Sequence, residues 1–199
     1  MRHSLGLRRG GKEEDLFSYY GEHVHEVIET AQKLVSGTLT GVTVDDFVER
    51  GILAPAREGL QRDSVESIRM TVLAPRSPAG TEFVLVWESG HSVEARANFQ
   101  MPVAGTFAGH ALTTHATEWT NDVDGDPRWT PHPKARSSRT YGSLVSAPIK
   151  QGETVVGVLN VISSYKNAFT RGDIIYIEIL ASMVDVVWGL RAMTGGADA

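Results

Sequence analysis

Cysteine is absent from the 199 residues. That absence removes disulfides, thiolate metal sites, cysteine nucleophiles and any thioether-linked chromophore. Positive charge is scarce as well: 19 Lys and Arg stand against 24 Asp and Glu, a formal net charge of -5. A broad nucleic-acid footprint needs a basic face and is therefore not expected. The one basic cluster, Arg2, Arg8, Arg9 and Lys12, lies in a Gly-containing stretch that reads as a disordered arm. No apolar run reaches the roughly 18 residues that span a bilayer, so no membrane partner is expected. Glu178 and Asp185 interrupt the best candidate. The N-terminus has no apolar stretch of signal-peptide type, which predicts a cytoplasmic chain or a piece of something larger. Linkers, low-complexity blocks and repeats are also missing. The expected organisation is one domain over 13–193 between tails at 1–12 and 194–199.

What is present is ordinary globular material, 41% hydrophobic and 22% charged. A chain of this length buries roughly two-thirds of its unfolded surface and needs no covalent staples. Residues 13–36 predict a long helix. Phe17, Tyr20, Val24, Val27, Ala31 and Leu34 recur at a 3-4-3-4-3 spacing, the seam of a coiled coil. Leu16, Ile28 and Val35 widen the stripe, which either lies on its own domain or pairs with its copy in a dimer. A shorter helix is expected from Val44 to Arg50, capped by Thr43. Pro55 and Gly59 argue against a long regular element over 52–66.

The period then changes to that of strands. Ser67 to Leu73 and Phe83 to Trp87 read as a hairpin around Pro75, Pro78 and Gly80. Val93, Ala95, Ala97 and Phe99 alternate as a third strand would. Residues 108–118 read as a helix. Residues 122–142, rich in Asp, Pro, Arg and Gly, read as an irregular crossing, and about 20 irregular residues in a compact domain are usually functional. Leu144 to Ile149 and Val155 to Ile162 are nearly continuous apolar runs around Gln151-Gly152-Glu153, which predicts a buried hairpin. Thr170 caps a last helix to Met193, with Asp173 at its third position as a short capping box. That helix is apolar on almost every side, so the sheet covers one stripe and a second partner must cover another.

The last third of the chain resembles the GAF family. Ala147-Pro148 ends one strand, a turn leads into Val155-Val156-Gly157-Val158-Leu159, and Ala168-Phe169-Thr170-Arg171-Gly172-Asp173 precedes the apolar helix. Residues 101–129 resemble the family's middle segment, with glycines opening a helix and Asn121-Asp122-Val123 and Asp126-Pro127-Arg128 returning the chain. The resemblance covers about 15–193 and implies an α/β (α+β) fold of profilin-like type. That fold is a central antiparallel sheet of five or six strands with helices on both sides.

The resemblance also frames the chemistry. Free methionine sulfoxide reductases of the family work through cysteines, so that reaction has no carrier here. No Ser-His-Asp order or nucleophile elbow stands out, and no enzyme is expected. Bilin attachment of the phytochrome type needs a cysteine and is excluded in this chain. Haem-binding members use an axial histidine before the proline-ended strand. The nearest candidate, His132, lies between Pro131 and Pro133 in what reads as a rigid exposed turn. Cyclic-nucleotide members often carry an Asn-Lys pair and then Phe and Asp-Glu. Aligned on Phe169, this chain has Ser163-Ser164 and Asp173-Ile174, so half the motif is missing and a cyclic nucleotide stays one alternative among several. Asp122, Asp124 and Asp126 have calcium-loop spacing, but Pro127 and Pro133 stand where such a loop needs Gly and Glu. His110 and His115, like His23 and His25, diverge on their helices, so no metal site is expected.

In GAF domains the ligand lies between the sheet and the middle helix with its crossing loop. Mapped here, that wall holds Phe99, Phe107, His110, Thr114, Asn121, Asp122, Trp129 and Tyr141, with Ser143 at the strand entrance. Aromatic planes with a few polar groups suit a flat, partly polar small molecule, though Phe99, Phe107 and Trp129 are also natural core residues. The expectation is a small-molecule sensor that forms a homodimer through 13–36 and 171–193. The chain holds no kinase, cyclase, phosphodiesterase or helix-turn-helix segment, so the output would lie in an effector partner or another part of the protein. The alternatives are a ligand-free dimerisation or scaffold module and the effector domain of a transcriptional regulator.

Overall fold

The amphipathic opening stretch forms helix α1, Glu13–Val35. The computed structural model describes residues 13–61, 68–77, 80–97, 99–128 and 141–194. Expectations for residues 1–12 and 195–199, Ser67, Pro78, Trp129 and His132 therefore lie outside the described residues. Helix α2, Val44–Asp46, starts on Thr43, whose Oγ1 accepts from the Asp46 N–H at 3.0 Å. It continues without a break through a π turn, Phe47–Leu53, into helix α3, Ala54–Leu60. The expected stop near Arg50 is corrected. Pro55 falls in the first turn of α3, where a missing N–H is tolerated. The wider π ladder carries the chain up to it, with the Ala54 N–H bonding the Glu49 carbonyl. Gly59 leaves room for a ring, since a Cβ there would sit 2.0 Å from Tyr19 Cε1.

Six strands form one antiparallel sheet in the order β3-β2-β1-β6-β5-β4. They are β1 Ile68–Pro75, β2 Glu82–Ser89, β3 Met101–Pro102, β4 Glu118–Thr120, β5 Ser143–Gln151 and β6 Thr154–Ser163. The predicted buried hairpin is the β5–β6 pair, closed by Gly152 at φ 61, where glycine tolerates the turn that a side chain would strain. A bulge shifts the β1–β2 register between Val72 and Leu73.

Two expectations for the middle of the chain are corrected. Val93–Ala97 is a helix, α4, and not the third strand. Two of the four alternating apolar positions are Ala, with Glu94 and Arg96 between, and these residue types favour helix over strand. The Arg96 N–H bonds the Ser92 carbonyl, and its guanidinium reaches Glu49 at 2.7 Å. The edge beyond β2 is instead β3. The middle helix, α5, spans Phe107–Thr114 rather than 108–118. His115 ends it at φ 57, and the next residues form β4 on the far edge of the sheet.

The last helix, α6, spans Arg171–Thr194. Its capping box forms in both directions: the Asp173 N–H bonds Thr170 Oγ1, and Asp173 Oδ2 accepts from the Thr170 N–H at 2.7 Å. Met70, Val72, Trp87, Val145, Leu159 and Val161 face α1, α6 and the 44–60 segment in the main core. The opposite face meets α5 through Leu73 and Val158 on one side and Leu144 with Phe107 on the other. Of the two partners open to α6, α1 of the same chain packs on it, with Tyr20 and Val27 buried, while Phe17, Ile28 and Val35 of the same helix stay exposed.

Candidate functional site

Alternation along the strands puts directly paired residues on one face. Val145, Ala147, Leu159, Val161, Met70 and Val72 belong to the α6 side, so Ser146, Asn160 and Thr71 point to the α5 side. They pair side by side: Thr71 opposite Asn160, and Asn160 opposite Ser146. Glu88 continues the row beyond Thr71, and Glu118 continues it beyond Ser146. A line of polar residues therefore crosses the middle of a sheet face that is apolar above and below it.

The centre of the row is closed to bulk water, with Thr71, Asn160 and Ser146 only 3%, 2% and 0% exposed. Ser146 Oγ donates to Asn160 Oδ1 at 2.7 Å. Thr71 Oγ1 lies 3.5 Å from the Asn160 carbonyl. The Asn160 amide nitrogen has two N–H groups and no partner among the described residues. Two arginines guard the ends of the row. Arg96 lies 3.7 Å from Glu88. Arg128 binds Glu118 at 2.7 Å and Asp126 at 2.6 Å, and its guanidinium lies over the Phe107 ring, 4.8 Å from the centroid. The bonds from Arg128 hold the Asp126 carboxyl well below the usual carboxylate range.

Helix α5 lies over this face on a fixed start. Thr106 Oγ1 accepts from the Gly109 N–H at 3.0 Å. Gly109 is packed so closely that a Cβ would lie 1.8 Å from the Val103 carbonyl oxygen. Small buried residues, Ala108 and Ala111, bring the helix down towards the sheet.

The residues singled out from the sequence divide into three groups. Phe107 is wholly buried and shares a cluster with Tyr141, while Phe99 packs in the neighbouring cluster, so aromatic rings flank both sides of the polar row. His110 and Thr114 lie on the exposed side of α5, where Thr114 Oγ1 donates to the His110 carbonyl and to Glu118. Asn121 and Ser143 join a third arrangement. Asn121 Nδ2 donates to the Phe169 carbonyl at 2.9 Å and Oδ1 accepts from the Phe169 N–H at 3.2 Å. Ser143 Oγ donates to the Tyr165 carbonyl at 2.8 Å and accepts from the Ala168 N–H at 3.1 Å. Together they clamp the β6–α6 loop. Asp122 sits beside them at the surface with Lys166 at 2.6 Å, and that ammonium holds its carboxyl below the ordinary range. Trp129 lies outside the described residues. No cluster of three or more His, Asp or Glu that could hold a metal occurs among the described residues.

The polar row was missed from the sequence, although a signal for it exists. Ser146 and Asn160 are the lone polar side chains inside two otherwise apolar strand cores, Leu144 to Ile149 and Val155 to Ile162.

The GAF domain family model matches residues 24–187. The chain belongs to the GAF domain family. Solved GAF domains share its shape at low identity. The GAF domain of a phosphoenolpyruvate-protein phosphotransferase from Coxiella burnetii is 11% identical at a TM-score of 0.65, covering 87% of this chain and 98% of that one. A free methionine-R-sulfoxide reductase from Neisseria meningitidis, solved in complex with its substrate, is 19% identical at 0.60, over 86% and 91%. Residues 122 to 287 of a methyl-accepting chemotaxis protein are 19% identical at 0.58, over 84% and 98%. At these identities the likeness carries the fold. No curated protein matches the chain by sequence. GAF domains are generally regulatory or sensory. No helix among the described residues is long and apolar enough to cross a membrane.

Proposed function

We propose that this GAF domain is a small-molecule sensor whose ligand lies on the α5 face of the sheet, over Thr71, Asn160 and Ser146. The single observation that carries the reading is the nearly closed row of Thr71, Asn160 and Ser146, in which the Asn160 amide nitrogen meets no acceptor among the described residues. Phe99 on one side and Phe107 and Tyr141 on the other supply the aromatic planes, which suits a flat, partly polar guest. Asn121, Ser143 and Asp122 act at one remove, by holding the loop that starts α6. The role is regulatory rather than catalytic: without cysteine the chain has no thiol for a thiol-based reduction.

The output surface in this reading is the exposed stripe on α1 and α6. Phe17, Ile28 and Val35 recur near the 3.5-residue period, and Ile175, Ile179 and Val186 repeat it on α6. A second copy of the chain covers both stripes, and an effector protein reads the pair in the cytoplasm.

The first test is native mass spectrometry of freshly purified protein, followed by denaturation of the same sample. A dimer carrying extra mass that leaves on denaturation supports the sensor. The second is a thermal-shift screen against cellular metabolites with Asn160→Leu as the partner sample. A compound that raises the melting temperature of the wild type and not of the variant places the site. Compounds that stabilise both proteins equally, or bare monomers with no responding compound, overturn the reading.

A further inference from the structure

Four side chains of α1 and α6 meet out of water. Tyr20, His23, Asp173 and Tyr176 are 6%, 4%, 1% and 1% exposed. Tyr20 Oη donates to Asp173 Oδ1 at 2.5 Å, and the Tyr20 and Tyr176 rings stack at 3.8 Å. His23 uses both ring nitrogens. Nε2 lies 3.0 Å from the Gly51 carbonyl and Nδ1 lies 2.5 Å from Tyr176 Oη. A carbonyl only accepts, so Nε2 carries the proton and the bare Nδ1 accepts from the Tyr176 hydroxyl. The Gly51 carbonyl is available because Pro55, four residues on, has no N–H to give it. Tyr19 Oη adds a bond to the Pro55 carbonyl at 2.8 Å. One histidine thus joins three elements: α1, α6 and the π turn.

We propose that His23 is a proton-operated latch that fixes α1 to α6 and to the π turn when neutral and releases α1 when protonated. Protonation converts Nδ1 from acceptor to donor. Tyr176 then loses the acceptor for its hydroxyl, and a charge appears in an enclosed site. Around it, α6 presents Tyr176 and Asp173, and that acid is engaged by Tyr20 and Thr170. The 44–60 segment presents the Gly51 carbonyl. Of its charged groups, Glu49 is held by Arg96, Arg50 lies near Asp46, and Glu58 acts on Tyr19. Burial opposes the charged ring and is the largest effect; the Gly51 carbonyl and, on α1, Glu26 favour it, so the titration lies below the ordinary histidine value. Because the folded value is the lower one, the latch holds above about pH 6.5 and is lost as pH falls through the window beneath it. This inference stands on the helix contacts alone and is independent of the ligand reading.

The test is hydrogen exchange of the full chain, corrected for intrinsic rates, at pH 7.5 and at successively lower pH. Protection of α1 and of the start of α6 should fall by roughly tenfold for each unit by which the His23 value is depressed. His23→Gln offers a donor and an acceptor but does not titrate, and its α1 protection should stay flat. His25→Gln, at an exposed neighbour, should behave as the wild type. Tyr176→Phe removes the bond that favours the neutral ring and should move the midpoint to higher pH. A wild type whose protection ignores pH, a His23→Gln chain that still loses it, or an unmoved midpoint in Tyr176→Phe overturns the proposal.

Discussion

Asn121→Ala separates a structural role from a ligand-binding one. The Asn121 side chain forms both halves of an amide pair with the Phe169 backbone, at 2.9 and 3.2 Å, and Phe169 itself is 4% exposed. Alanine leaves that N–H and that carbonyl without a mate beside a closed core. An orphaned buried group costs about 1–3 kcal/mol. Asn121 is only half-buried, so water reaches part of the gap and the lower end applies to each group. The expected loss is about 2–3 kcal/mol in all, or roughly 4–12 °C in melting temperature for a domain of this size. Asn121→Asp should lose more than alanine, because it keeps the acceptor for the Phe169 N–H but sets a carboxylate against the Phe169 carbonyl. Urea and thermal unfolding followed by circular dichroism measure both. A loss under about 0.5 kcal/mol for Asn121→Ala, the range of an ordinary surface substitution, would refute the clamp.

Other substitutions probe the remaining parts. Gly109→Ala drives a methyl to within 1.8 Å of the Val103 carbonyl oxygen; α5 must lift, at a cost of about 1–3 kcal/mol in urea unfolding. Ile28→Glu with Ile179→Glu places charge on the exposed stripes; light scattering after gel filtration should report a monomer whose stability stays within about 1 kcal/mol of the parent. Global stability should fall as pH drops below about 6.5, because His23 is depressed when folded and the unfolded chain takes up the proton first. His23→Gln should flatten that part of the urea-midpoint curve.

The ends of the fold were the readable parts. In the β5–β6 hairpin and α6, apolar burial, turn chemistry and the Thr170–Asp173 cap all point the same way, and the elements form where expected. The middle was harder, because its elements are short and tertiary contacts decide them. Five residues whose alternation matched a strand became α4, tied down by Arg96 to Glu49. Glu118–Thr120 is too short to show a period and is a strand because β5 offers it an edge. Pro55 and Gly59 read as breakers, yet one sits in a first turn and the other makes way for Tyr19. The site was half legible. The aromatic residues could be named from the sequence, but Asn160 and Ser146 gain their meaning from cross-strand register, which joins residues far apart in the chain.

A series of contacts also joins the two faces of the sheet. Glu88 ends the polar row on the α5 side, and Arg96 reaches from it to Glu49 in the π turn. Two residues further on, the Gly51 carbonyl holds His23, and His23 holds Tyr176 of α6. From the edge of the candidate pocket to the last helix, the steps are ion pairs and hydrogen bonds joined by the backbone between Glu49 and Gly51. The 44–60 segment is the middle of this route, and its π turn is where the regular helical ladder is already broken. Any coupling between a guest at the row and protonation of His23 that this segment carries is equal in both directions, as linkage requires.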